Sequence, residues 1–432
     1  MATRVLARTD VRGVDGDLRN ALARPRPEAD DVAAVVREIL AIVRGGGDNA
    51  LRDLTERFDG FRPDAFAVSR AEREAALARV DPELARALEF ARDQILAFHE
   101  SQLTKEPAHE RSGIQVQELV IPVDRAGCYV PGGRATYPSS VLMTAVPARV
   151  AGVPEVVLCV PASADGRVPD ATLAAAALAD VDELYRIGGA QAIAALAYGT
   201  DSIPPVDVIV GPGNAYVAEA KRQLVGVVGI DSLAGPSDVM IVADATSDPE
   251  LVAADLLAQA EHGPGGGAIV VTWDEAVADA VDAALARQLA ATPRREDATA
   301  TLQSGGRAVL VDDRHRAIVA VNAVAPEHVQ LMCEDADLLV PEVRNAGAVF
   351  VGRDASAVLG DYIAGVNHVL PTAGTARFAS ALRVTDFQKH VHVVRVEPGA
   401  LAEIAPHAIR IADTEGLTAH GDAWRLRTER KS

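Results

Sequence analysis

Four short stretches of the chain set an acid or an amide close to a histidine. LLAQAEHGPG places Gln259 and His262 three apart, and APEHVQ places Glu327 beside His328. LGDYIAGVNHVLPTAG puts Asp361 seven residues before His368, and EGLTAH puts Glu415 five before His420. Eight of the ten histidines lie from His262 onward, in the same half as these acids. Imidazole titrates near neutrality and suits proton transfer, while a neighbouring carboxylate can handle a second proton, that of water. Gln259, His262, Asp361 and His420 also make a mixed nitrogen and oxygen donor set that zinc or manganese would accept, although spacing alone does not bring the four together. Each feature has a plainer reading as well. A helix end accommodates a His against its carbonyls and a Gln in solvent, and a Glu-His pair is common surface sequence. His99, His109, His315, His390, His392 and His407 lack comparable partners and are read as structural or surface.

The elements that must position these residues follow from hydrophobic period and turn residues. SDPELVAAD has an acidic start and apolar spacing suited to a helix, and GPG stops it, so Gln259 and His262 share one face. From about residue 118, short β-branched runs alternate with alanine-rich helical stretches: ELVIPV, EVVLCVP, ELYRIGG, VDVIVGPG, DVMIVAD, AIVVT, AVLV and AVFV are the strands. That alternation predicts βαβ units and parallel sheets, whose ligand sites are expected at the strand carboxyl ends. A long helix is expected from about Glu275 to Leu289, and ATPRREDATATLQSGG reads as a polar surface connection. The amino-terminal stretches such as DVAAVVREILAIVRGGGDNALRDLTERFD read as amphipathic helices without chemistry. After about Ala381 the periodicity weakens, predicting a small, less regular appendage that ends in a solvated basic tail.

Three glycine-rich turns follow predicted strands: GGAQAIAA, GPGNAYV and AGPSDVM. Glycine allows sharp turns and close approach of a ligand, and the N–H groups at the next helix start attract anions. Asn214 is placed to cap one such helix. None of the turns is GxGxxG, and no HExxH, P-loop, EF-hand or GxSxG pattern occurs. Cys333 lies near His328 only in sequence, so thiol catalysis is not expected.

At 432 residues, with 49% hydrophobic and 24% charged positions but only 4% aromatic, the chain has the composition of a packed globular protein. A formal charge of −19, from 61 acidic and 42 basic residues, argues against nucleic acid as a partner. No long uncharged apolar run and no signal-peptide core are present, so no membrane association is expected and the location expected is cytoplasmic. Cys128, Cys159 and Cys333 are odd in number and widely spaced, which argues against disulfides and a thiolate metal knuckle.

GPGNAYVAEAKRQLVGVVGIDSLAGPSDV, taken with LLAQAEHGPG, APEHVQL, GDYIAGVNHVLPTAGTARF and EGLTAH, resembles the histidinol dehydrogenase family, with matches in family order from Gly127 to His420. The resemblance implies oxidation of the small-molecule substrate L-histidinol through L-histidinaldehyde to L-histidine, the last step of histidine biosynthesis, with two NAD and one water consumed. It implies one zinc per subunit held by Gln259, His262, Asp361 and His420, with His420 supplied by the partner of a homodimer whose active sites are composite. Glu327 would activate water, and His328 would be the principal base. His368 would contact substrate, Glu415 would meet its ammonium group, and Ser237 would lie at the substrate. Tyr129, Gln191 and Asn214 match NAD-contacting positions. Two departures from the family pattern stand out. Asp238 replaces a common glutamate in AGPSDV, and VGRDASAVLGDY lacks the usual threonine-proline-glutamate ahead of Gly360.

The fold class expected is α/β: two parallel-sheet domains with incomplete Rossmann-like topology, plus small N- and C-terminal appendages. The expected division is an amino-terminal arm (1–25), a discontinuous first domain carrying metal and catalytic residues (26–128 and 237–381), a second domain with the NAD-contacting turns (129–236), and a carboxyl-terminal arm (382–432). The residues by themselves also suit a zinc dehydrogenase of another amino alcohol, a zinc hydrolase using Glu327 on water without NAD, or a silent binding protein.

Overall fold

A computed structural model of the chain describes residues 4–22, 30–104, 106–132, 135–233, 235–263, 265–397 and 399–429. Pro264 of the helix-stopping Gly-Pro-Gly, Ala234 of the Ala-Gly-Pro-Ser-Asp turn and the last three residues of the basic tail lie outside them. In chain order the strands are β1 (Ala7–Asp10), β2 (Ala67–Val68), β3 (Ala108–Arg111), β4 (Ile114–Pro122), β5 (Arg125–Tyr129), β6 (Glu155–Cys159), β7 (Glu183–Tyr185), β8 (Val208–Val210), β9 (Gly229–Ile230), β10 (Asp238–Val242), β11 (Gly267–Thr272), β12 (Gly306–Leu310), β13 (His328–Leu331), β14 (Ala348–Val351) and β15 (Gln388–Val396).

Two six-stranded sheets carry most of the chain, in the orders β1-β12-β11-β10-β13-β14 and β2-β7-β6-β5-β8-β9. Leaving out the edge strands β1 and β2, both read third-second-first-fourth-fifth in chain order, the five-strand core of a doubly wound fold. Every pair is parallel except β2 with β7. The incomplete Rossmann-like α/β class is thus the architecture observed. Strands such as Val-Val-Leu-Cys and Met-Ile-Val are apolar on both faces because helices cover both. Alanine dominates those helices, and its small side chain lets them sit close on the sheet.

Several expectations about the division of the chain are corrected. The amino-terminal arm is no separate appendage, since β1 is the parallel edge strand beside β12. The helices of residues 30–100 belong with the second sheet rather than the first. Val36, Leu40, Leu51 and Leu54 share one buried cluster with Tyr129, Ile193 and Val217, and β2 pairs with β7. Helix Asp30–Asp59 is broken at Gly47, whose φ of 51° and ψ of −136° are not helical. The polar stretch after Ala291 is mostly helix, Arg295–Gly305, because Ala298, Thr301 and Leu302 bury one face at helical spacing. The long helix runs Glu275–Ala291, two residues past its expected end.

The chain divides into two compact units, Met1–Gln102 with Asp124–Phe387, and Leu103–Val123 with Gln388–Ser432. The second unit therefore recruits a segment that sequence placed in the first domain. All of ELVIPV but its last valine belongs to β4, which pairs antiparallel with β15 and β3 rather than entering a parallel sheet. The expected irregular appendage is in fact regular: β15 is followed by helices Leu401–Thr414 and Thr418–Glu429. Among the described residues no helix is long and apolar enough to cross a membrane.

Candidate active site

Helix Pro249–Ala260 starts from Asp248, whose side chain accepts the Glu250 N–H at 3.0 Å. It runs back along β10, so its last turn returns to the edge where the strands of the first sheet begin. Gln259 is buried there, and its Nε2 lies 3.4 Å from His262 Nδ1. His328 opens β13 and Asp238 opens the neighbouring parallel strand β10, where Val239 is the residue paired with His328. The site residues of this sheet thus sit at strand amino ends, not at the carboxyl ends that doubly wound folds predict. The reason is visible in the connections, because the helices and the segment after β14 carry their functional residues back to the starting edge.

Glu327 and His328 are both buried, each about 4% exposed. The Glu327 N–H donates to Asp238 Oδ1 at 2.7 Å, and Glu327 Oε2 accepts the Asp238 N–H at 3.2 Å. Ser237 also hydrogen-bonds the Glu327 carboxyl. Burial, followed by the Asp238 charge, pushes that carboxyl well above the ordinary glutamate range, which makes it a stronger base once ionised. His328 Nδ1 lies 3.2 Å from the Asp238 carbonyl oxygen. A carbonyl only accepts, so Nδ1 carries the hydrogen and Nε2 is left with its lone pair. That nitrogen is 3.9 Å from Asp361 Oδ1. Burial pushes the His328 pKa down, favouring the neutral base.

His368 is fixed in the same way. Its Nδ1 donates to the Asp361 carbonyl oxygen at 2.9 Å, so its Nε2 accepts from the Ser140 hydroxyl at 3.1 Å. Ser140 is buried on helix Pro138–Val150, and no motif pointed to it. A cavity of about 540 Å³ is lined by Gln259, His262, Asp361 and Tyr362 together with Tyr137, Leu84 and Leu88. Gln259, His262 and Asp361 thus meet at one cavity and offer an amide oxygen, an imidazole and a carboxylate, a donor set that fits zinc. Among the described residues no group of three or more His, Cys, Asp or Glu is disposed to hold a metal, and this trio contains only two such residues. His420 and Glu415 belong to the second unit, on helix Thr418–Glu429 and at the end of helix Leu401–Thr414, and both are exposed.

Tyr129, Gln191 and Asn214 gather at the carboxyl edge of the second sheet. The Tyr129 hydroxyl accepts the Gly189 N–H at 3.0 Å, and Asn214 caps helix Ala215–Leu224 by accepting from Tyr216 and Val217. Gly211 crosses the end of β5 so closely that a Cβ on it would lie 2.1 Å from the Tyr129 carbonyl oxygen. This is the switch point of the strand order, between β5 and β8, with a helix amino terminus facing it. Only two of the three glycine turns lie on this edge. The third, Ala-Gly-Pro-Ser-Asp, leads into β10 and the other site. All three cysteines are buried thiols, and burial pushes Cys333 up to about 11, far from a reactive thiolate.

A family model for histidinol dehydrogenase matches residues 22–428. The histidinol dehydrogenase of Rhizobium meliloti is 51% identical over 414 residues, 95% of each chain. That of Rhodospirillum rubrum is 50% identical over 404 residues, 93% of each. The crystal structure of histidinol dehydrogenase from Elizabethkingia anophelis superposes with a TM-score of 0.95 at 34% identity, covering 100% of this chain and 99% of that one.

The chain belongs to the histidinol dehydrogenase family. Both departures from that family's sequence pattern have a place in the structure. Asp238 braces the Glu327 backbone, so the shorter acid still performs a contact at the site. In the altered segment, Ser356 caps helix Ala357–Tyr362 and its Oγ donates to Asp255 Oδ1 at 2.7 Å, and Asp361 lies in the last turn of that helix.

Proposed function

We propose that L-histidinol occupies the cavity at the amino edge of the first sheet and is oxidised there twice. The activity is that of a histidinol dehydrogenase: L-histidinol passes through L-histidinaldehyde to L-histidine while two NAD are reduced and one water is consumed. The observation that carries the assignment is His328, buried, with Nδ1 held by the Asp238 carbonyl and a bare Nε2 turned toward Asp361 beside Glu327.

In this reading His328 Nε2 takes the hydroxyl proton of histidinol as hydride leaves the carbinol carbon for NAD. Glu327 then takes a proton from the water that adds to the aldehyde, and the hydrate gives up its second hydride to a fresh NAD. Ser237 and the Asp238 backbone hold the Glu327 carboxyl for that step. His368, pinned between Ser140 and the Asp361 carbonyl, orients the substrate's oxygen. Zinc would be held by Gln259, His262 and Asp361 together with His420 of the partner subunit in a homodimer. When bound, it would supply a Lewis acid that helps to hold the substrate in place. Glu415 would receive the substrate ammonium, and the exposure of Glu415 and His420 on the single chain supports their use by a partner. Tyr129, Gln191 and Asn214 would receive NAD.

The test is a count of NADH formed per L-histidinol consumed, using purified protein whose zinc content has been measured. Two is expected. One would mean release at the aldehyde, and none would leave Glu327 activating water without a hydride acceptor, as in a hydrolase. Ethanol, lacking the imidazole and amine, is expected to turn over about ten-thousand-fold less efficiently.

A further inference from the structure

We propose that the buried Lys221–Asp231 pair positions the dinucleotide turn, setting affinity for NAD without touching the chemistry. The proposal rests on the reading that NAD lies at the carboxyl edge of the second sheet. The Lys221 and Asp231 side chains are 1% and 3% exposed. Lys221 sits two turns into helix Ala215–Leu224, yet its ammonium reaches back to the turn before that helix. Nζ donates to the Gly211 carbonyl oxygen at 2.8 Å and pairs with Asp231 Oδ1. Asp231 Oδ2 accepts the Gly211 N–H at 2.7 Å. Both polar groups of one glycine are therefore held by the two ends of one ion pair.

Gly211 is where such a grip matters. Its φ of +112° suits glycine alone, and the turn it begins lies against the end of β5 and runs to the helix cap at Asn214. Asp231 follows β9, so the pair ties the end of that strand to the turn after β8. A hydrophobic pair of equal volume would fill the space at lower desolvation cost but could not orient a peptide. The same sheet holds a second charge cluster at its opposite edge, where the buried Arg125 pairs with the more exposed Glu155 and Glu183 at the starts of β5, β6 and β7. That cluster braces strand ends and holds no turn at the switch point, which makes it an internal control.

The experiment uses the whole protein and reads the NAD dissociation constant by calorimetry, the KM values and kcat, and the thermal midpoint. Lys221→Met is expected to weaken NAD binding at least ten-fold and to raise KM for NAD alike. The kcat at saturating NAD and the KM for L-histidinol should stay within two-fold. Asp231→Asn, which keeps an acceptor for the Gly211 N–H, is expected to give a smaller rise and carries the test if Lys221→Met does not fold. Arg125→Met is expected to lower the thermal midpoint while leaving the NAD constant within two-fold. If Lys221→Met and Asp231→Asn lower the midpoint yet leave NAD binding unchanged, the pair is structural and the proposal falls. Tyr129→Phe and Asn214→Ala separate the two failures. If they weaken NAD binding while the pair variants do not, the NAD site stands without the proposal, and if they too change nothing, the site assignment falls with it.

Discussion

At the scale of single residues, the decisive feature is that hydrogen bonds to carbonyl oxygens fix which nitrogen of each histidine is bare. Glu327→Gln keeps the shape of the site but cannot take a proton from water. Turnover of L-histidinaldehyde is expected to fall by about 10²–10⁴-fold, while a single turnover of L-histidinol still yields its first NADH. Rapid-mixing absorbance separates the two phases, and equal loss of both would remove the water-activating role. Ser140→Ala deletes the donor to His368 Nε2, worth about 1 kcal/mol or somewhat more. We expect a loss of about ten-fold in kcat/KM for L-histidinol and recovery in Ser140→Thr, which keeps a hydroxyl; no difference between the two variants would mean that the contact orients nothing. Part of this site was legible in advance. Gln259 and His262 do come together, though His262 lies in the turn just past the helix end rather than on the helix face that the spacing predicted, and Glu327 and His328 are both buried. Ser140 and the Asp238 brace were not legible, because a lone serine in an apolar helix and an acid at a strand start acquire meaning only when a distant segment packs onto them.

Among the elements, the alternation of apolar runs with alanine-rich helices was enough to read the parallel sheets, because such strands are buried on both faces. It did not reveal that helix Arg295–Gly305 exists, since only three of its residues are well buried. Nor did it place the proposed catalytic residues at strand amino ends, a consequence of where the helices return rather than of any local pattern. Helix Asp30–Asp59 offers a test of charge against stability. Its last residue, Asp59, has Oδ2 sealed from solvent without a hydrogen-bond partner, and burial pushes the carboxyl up to about 6 from 3.8. A negative charge at a helix carboxyl end is unfavourable in addition. Because the folded value lies above the unfolded one, the folded state keeps its proton longer, and this contribution to stability is present below 3.8 and lost as pH rises through about 6. Asp59→Asn is expected to raise the unfolding free energy read from urea melts by about 1 kcal/mol at pH 8, once the group's partial exposure is allowed for, but barely at pH 4. The same gain at both pH values would show that charge is not the cause.

For the whole molecule, the composite site is the claim with the sharpest outcome. Neither a His420→Ala chain nor a Glu327→Ala chain should work alone. Mixed and allowed to exchange, they should recover about a quarter of native activity, since half the dimers are mixed and each has one good site. No recovery after exchange has been verified by mass would place His420 in its own chain's site or in none. The sequence separated a carboxyl-terminal arm but not the 103–123 segment that joins it, because pairing of β4 with β15 spans more than 250 positions and leaves no local trace. One further consequence lies in the residues proposed to meet NAD. Tyr129 and Gln191 are 3% and 2% exposed, and Tyr129 belongs to the same packed cluster as Ala190, Ala192 and Ile193. Coenzyme choice is then inherited with the core: a lineage or a designer seeking a different coenzyme would have to repack the interior of the second sheet, and most steps toward that goal would be lost as misfolded protein before their effect on catalysis could be selected.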